Sequence, residues 1–101
     1  MVYKWYNFRS NEFEFDSRKS HSNMEKHGID FVEAQRLWKD PEHLVAPVRA
    51  KDEQRQLLIG RIDDKHWTAV FTLRGERIRI ISVRRARKKE VSRYEDQGQR
   101  I

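Results

Sequence analysis

A chain of 101 residues forms one domain with a thin core, since a domain of this size hides only about two-thirds of its unfolded surface. It carries 22 Lys and Arg against 16 Asp and Glu, a formal charge of +6, no Cys and 11% aromatic residues. The aromatics argue against disorder, the missing Cys excludes disulfides, and no apolar run approaches the ~20 residues of a membrane span.

Residues 1–11 are aromatic and polar without a period and are expected to form an N-terminal extension, as an arm or a short extra strand. Their first six lack the apolar stretch of a secretion signal, so a cytoplasmic location is expected. From Glu12 to Asp16 the chain alternates, with Phe13 and Phe15 on one side and Glu14 on the other, which predicts a short strand. Asp16 suits an N-cap and Gly28 a left-handed C-cap, so a helix is predicted to end at His27. Met24 is its one large apolar residue, and the helix should lie at the surface.

Asp30 and Glu33 open a second helix in the manner of a capping box. Phe31, Ala34, Leu37 and Trp38 give it one apolar stripe, and Asp40-Pro41 ends it. Residues 44–48 read as an edge strand because of Pro47, and residues 49–54 as a charged loop. Three strands follow at 56–62, 66–73 and 77–84, joined by the turns Asp63-Asp64-Lys65 and Arg74-Gly75-Glu76. Residues 86–95 return to helical spacing through Val91 and Tyr94. The expected fold is α+β: one antiparallel sheet with two N-terminal helices and one C-terminal helix on one face. The domain is expected over 12–96, with a tail at 97–101.

Charge is not spread along this chain. Between Arg74 and Lys89, eight of sixteen residues are Arg or Lys and only Glu76 opposes them, whereas the other 85 residues hold 14 basic and 15 acidic side chains. Within that segment Arg77-Ile78-Arg79-Ile80 alternates like a half-buried strand. A rigid strand spaces such cations by roughly 7 Å along one face, near the spacing of phosphates in single-stranded nucleic acid. A polyanion partner is expected, nucleic acid being the commonest. A solvated sheet face and a basic helix start that serves solubility or a protein partner are the plainer readings.

The four His show no metal-ligand spacing, and Asp63-Asp64 fits a hairpin turn better than a magnesium site. No glycine-rich phosphate loop occurs, and no cofactor is expected. Trp38, Phe31 and Trp67 read as core.

The pattern as a whole resembles the BrnT toxins. Phe13-Glu14-Phe15-Asp16, Lys19, Asn23, Lys26-His27-Gly28-Ile29, Phe31 and Ala34 follow that family's opening; Asp40-Pro41, Glu53-x-Arg55 and Ile59-Gly60 continue it. Its closing segment matches Arg74-Gly75-x-Arg77-Ile78-Arg79-Ile80-Ile81-Ser82-x-Arg84-x-Ala86, with Glu90 and Tyr94 beyond. Val83 replaces the usual Ala, and residues 1–11 extend past the usual start. The resemblance implies a RelE-like fold and a metal-independent ribonuclease toxin of a type II toxin–antitoxin module. It also implies a BrnA-like DNA-binding antitoxin, which neutralises the toxin and represses the operon jointly with it through operator DNA. A noncatalytic nucleic-acid-binding or co-repressor module using the same basic face is the rival class, and a pure interaction protein docking an acidic partner is a third.

Metal-free cleavage of RNA needs a proton acceptor for the attacking 2′-OH, cations for the growing phosphate charge and a proton for the leaving 5′-oxygen. Arginine forks on strands suit the second task, with Arg79 and Arg84 first and Arg61 in support. His27, Glu53 and Tyr94 are the candidates for proton transfer, and the sequence does not rank them. Lys26, Arg55, Arg77, Arg85, Arg87 and Lys88 are the expected RNA-binding cations. Lys26-His27-Gly28 also reads as a plain helix C-terminus, and Tyr94 as a packing residue.

Overall fold

A computed structural model describes residues 12–48 and 54–97. The expectations for residues 1–11, for the loop residues 49–53 including Glu53, and for residues 98–101 lie outside the described residues.

Strand β1 (Phe13–Glu14) leads into helix α1 (Ser17–His27), then a single turn α2 (Phe31–Ala34) that runs on as a 3-10 turn (Gln35–Lys39). Strands β2 (Leu44–Val48), β3 (Arg55–Ile62), β4 (Lys65–Arg74) and β5 (Arg77–Arg85) follow, and helix α3 (Lys88–Gln97) closes the order. The caps form where the residue types require them. The Asp16 carboxylate accepts from the N–H groups of Arg18 and Lys19, Gly28 adopts φ 79°, and Asp30 accepts from the Glu33 N–H at 2.8 Å.

The strands form one sheet in the order β1-β5-β4-β3-β2. Two expectations need correction here. The sheet is mixed rather than antiparallel, because β1 pairs with β5 in parallel, Phe13 opposite Ile78 and Glu14 opposite Arg79. The intervening helices carry the chain back across the sheet, which makes the parallel direction possible. Nor do the helices share one face. The α1–α2 layer packs on the face bearing Phe71, through Trp38 in edge contact with both Phe71 (5.3 Å) and Phe13 (5.1 Å). Helix α3 lies on the other face, where Glu90 meets Thr68 and Tyr94 meets His66.

The core is the α1–α2 face: Phe31, Leu37, Leu58, Phe71, Ile78, Ile80 and Val83 are fully buried or nearly so. Gly60 sits where the 3-10 turn comes closest to β3; a Cβ there would stand 3.2 Å from the Leu37 side chain and 3.3 Å from its carbonyl.

Two features set the register of β5. Opposite Val70 and Phe71, β5 carries one residue more than β4, since Val70 pairs with Ser82 and Phe71 with Ile80. This bulge at Ile81 lets residues 78, 80 and 83 all reach the core although their spacing breaks a period of two. Beyond β1, the edge of β5 is covered by the buried side chain of Asn23. Its amide accepts from the Val83 N–H (3.1 Å) and donates to the Val83 carbonyl (2.9 Å) and the Ile29 carbonyl (2.8 Å). One amide thus replaces a strand neighbour and ties α1 to the sheet.

Candidate nucleic-acid interface

The face opposite the core divides in two. Helix α3 covers the half around His66, Thr68 and Arg84. Among the described residues no element covers the half around Val70, Thr72 and Arg79.

On the open half, pairing places Glu14, Arg79, Thr72 and Arg55 in one row across four strands. Arg79 and Arg55 flank Thr72 from the two neighbouring strands, so their backbones stand ~10 Å apart. Arg79 donates to the Glu14 carboxylate at 3.0 Å, and both side chains are about three-quarters buried. Arg55 is half-buried, and its Nε is fully buried without a hydrogen-bond partner among the described residues. The Thr72 hydroxyl donates to the Gln54 carbonyl at 2.7 Å. Arg77 continues the row's charge one step along β5 and is exposed.

On the covered half, Arg84 forms a two-pronged ion pair with Glu90, 2.8 and 2.9 Å. Glu90 also accepts from the Thr68 hydroxyl and from the Arg87 N–H, the latter as the reach-back bond of a capping box at the start of α3. Burial pushes the Glu90 carboxyl up, but the Arg84 fork, the Arg87 N–H and the Thr68 hydroxyl outweigh it and hold it at about 2. The bond to Glu90 raises Arg84 in turn, against its burial.

Tyr94 reaches from α3 to donate to the Asp40 carboxylate at 2.8 Å, and its ring meets His66 edge-on at 4.9 Å. Burial first, then the bond to Asp40, push the phenol upward. The same Asp40 oxygen accepts from the Arg61 N–H, while the Arg61 side chain donates to the Asp63 carbonyl at 2.7 Å. Arg61 and Tyr94 therefore share an open groove of about 420 Å³ with Arg36, Lys39 and Asp40, beyond the helix-covered half of the sheet.

The remaining candidates scatter. Lys26 and His27 are exposed in the last turn of α1, in the layer on the core face. Among the described residues no hydrogen bond or ion pair joins either to the other candidates. Arg85 turns to the core side of the sheet and stacks over Trp67 at 5.4 Å. Arg87 and Lys88 are exposed at the N-terminus of α3.

Four residues at these sites were not expected from the sequence. Glu14, Thr72 and Thr68 contribute side chains to the rows beside the arginines, and Asp40 is the junction for β3, α3 and the loop after it. Glu14 was legible in part, since alternation with Phe13 and Phe15 turns it from the core. Arg74 belongs to the basic segment yet was absent from the expected RNA contacts, although it shares the open face with Thr72, Arg77 and Arg79 by strand parity.

The fold and this basic face define a small α+β protein with a half-covered, arginine-lined sheet. The family model for the ribonuclease toxin BrnT of type II toxin–antitoxin systems matches residues 15–90. The chain belongs to that family, whose members pair with an antitoxin. No curated protein matches the chain. Among the described residues no helix is long and apolar enough to cross a membrane.

Proposed function

We propose that this chain is a cytoplasmic endoribonuclease of RelE-like architecture that cleaves RNA on the open half of the sheet without a metal ion. The observation that carries this reading is the row Arg79–Thr72–Arg55. Two guanidinium groups flank one polar strand position on a face that no described element covers, and one of them has a buried nitrogen with no partner among the described residues. A buried guanidinium nitrogen without a partner among the described residues is costly, and a phosphate bound beside the two forks would bring an anion to them.

In this mechanism the RNA 2′-OH attacks its own phosphate, the bond from phosphorus to the 5′-oxygen breaks as that oxygen takes a proton from water, and Arg79 and Arg55 stabilise the charge that grows on the non-bridging oxygens. Glu14 holds Arg79 in position. Glu53, two residues before Arg55 in sequence, takes the proton from the 2′-OH. Arg77 binds the backbone beside the reacting phosphate. Arg84 acts by holding α3 at the border of the site, and Arg61, Arg87 and Lys88 add long-range attraction for RNA. A BrnA-like antitoxin with an acidic or amphipathic segment covers the open half, and the complex binds operator DNA through the antitoxin.

The test is to incubate the purified protein with single-stranded RNA in EDTA. Shortened products ending in 2′,3′-cyclic phosphate or 3′-phosphate are expected, because 2′-OH attack yields no other ends. Activity lost in EDTA and restored by Mg²⁺ would refute the mechanism. RNA binding without cleavage would favour a noncatalytic module.

A further inference from the structure

The tip of the β4–β5 hairpin holds an arrangement that folding alone disfavours. Arg74 and Arg77 are direct cross-strand partners, and both are exposed. Partners of this kind carry their side chains about 5 Å apart on one face, where like charges repel. Glu76, in the turn between them, makes no ion pair with either, and neither arginine has a hydrogen-bond or ion-pair partner among the described residues. Gly75, at φ 61°, closes the turn tightly and holds the two strands opposite each other.

The position of this pair is as informative as its charge. Strand parity sets Arg74 and Arg77 on the face of Thr72 and Arg79, one step of ~7 Å beyond the Arg79–Arg55 row. Among the described residues β3 begins at Arg55, opposite Thr72, and none of its residues flanks Arg74. Among the described residues nothing but the other pairs with Arg74 or Arg77 on the side from which an extended chain would leave the sheet, and both stay exposed.

We propose that Arg74 and Arg77 form a phosphate subsite for single-stranded RNA, one nucleotide beyond the phosphate held at Arg79 and Arg55. This rests on the RNA-cleaving reading above and extends it. Two forks at this separation bracket one phosphate, and the bound anion converts their repulsion into two charge-assisted contacts. The subsite gives the substrate a direction: the strand follows β5 and passes over the hairpin tip. An RNA that ends at the reacting phosphate on that side would lose the contact.

The experiment uses a labelled 2′-O-methyl RNA of about ten nucleotides, long enough to fill the face and unable to react. Its binding is followed by anisotropy over a range of salt for the native protein, for R74Q/R77Q, for R79A, and for R18Q/K19Q on exposed α1 as a charge-matched control. R74Q/R77Q is expected to bind roughly tenfold more weakly, with the slope of log affinity against log salt reduced by about 0.7, the share of one phosphate on a single strand. Relief of the repulsion should also raise its melting temperature by about 2–4 °C. A slope and affinity for R74Q/R77Q equal to those of R18Q/K19Q would overturn the subsite. If R79A alone weakens binding, the subsite is wrong and the RNA reading stands. If the native protein itself fails to bind, both are wrong.

Discussion

Arg84 and Glu90 form a two-pronged ion pair that joins the end of β5 to the first turn of α3. Because Glu90 also holds the Arg87 N–H and the Thr68 hydroxyl, one carboxylate fixes the strand, the helix start and the sheet face at once. An arginine that the sequence offers as a catalyst thus also ties strand to helix.

Glu90→Gln tests that junction. The amide keeps some hydrogen bonds but leaves Arg84 charged and largely buried, which should cost roughly 2–3 kcal/mol and lower the melting temperature by roughly 10 °C. The acid limb should change as well. The Glu90 carboxyl titrates at about 2 in the fold against an ordinary 4.5, so its contribution is complete above pH 4.5 and lost as pH falls toward 2. His43 adds a separate loss at higher pH: burial, against its bond to the Asp40 carbonyl, lowers it below its ordinary 6.5, so the fold weakens as pH drops below that value. Thermal melts from pH 8 to 2 should show the lower step flattened in the variant and the upper step kept. An unchanged lower step would show that Glu90 does not control it.

Arg79→Ala and Arg55→Ala should separate from Arg84→Ala. The first two remove cations from the open row and should slow RNA cleavage by roughly 10²–10³, with a circular dichroism spectrum like that of the native protein. Arg84→Ala leaves Glu90 buried without its partner and should lower both activity and melting temperature. The ion pair with Glu90 makes Arg84 a stability determinant whatever its part in cleavage. Full stability in Arg84→Ala would refute the structural role.

What the sequence could and could not disclose follows from the range of each interaction. Caps and turns at Asp16, Gly28, Asp30 and Gly75 are local chemistry and were legible from neighbouring residues. The core stripe of Phe31, Ala34, Leu37 and Trp38 was legible from its period. The parallel pairing of β1 was not, because two residues give no signal of direction. Nor was the bulge at Ile81. In a regular strand Arg79 and Arg84, five residues apart, would face opposite sides, and the extra residue returns them to one. The rows of the site depend on cross-strand register, which links Glu14 to Arg79 and Thr72 to Arg55 across long stretches of chain.

Asn23→Ala should be the most damaging small substitution on α1. It leaves the Val83 N–H, the Val83 carbonyl and the Ile29 carbonyl without their side-chain partner in a buried site, at a cost of roughly 3 kcal/mol or more. Hydrogen exchange should show the Val83 amide losing protection before those of β3 and β4. Asn23→Asp restores only the acceptor, so it should not rescue stability. Exchange at Val83 no faster than at β4 would place the strand's protection elsewhere.

Tyr94→Phe decides between a packing and a proton-transfer role for the phenol. Its hydroxyl donates to Asp40, which also accepts from the backbone of Arg61 and orders the loop through the Glu42 N–H. The Gln97 side chain adds a second tie from α3 to that loop at the Glu42 carbonyl. Removing one hydroxyl keeps the ring against His66 and should cost about 1 kcal/mol, a fall of roughly 4–8 °C in melting temperature. As a latch, Tyr94 should leave the rate of RNA cleavage within about twofold at 25 °C, where the variant remains folded. As a general acid it would lower that rate by roughly 10²–10⁴ with little change in substrate affinity. Single-turnover cleavage measured beside a melting curve separates the two outcomes. A large rate loss without a loss of stability would move Tyr94 into the catalytic site.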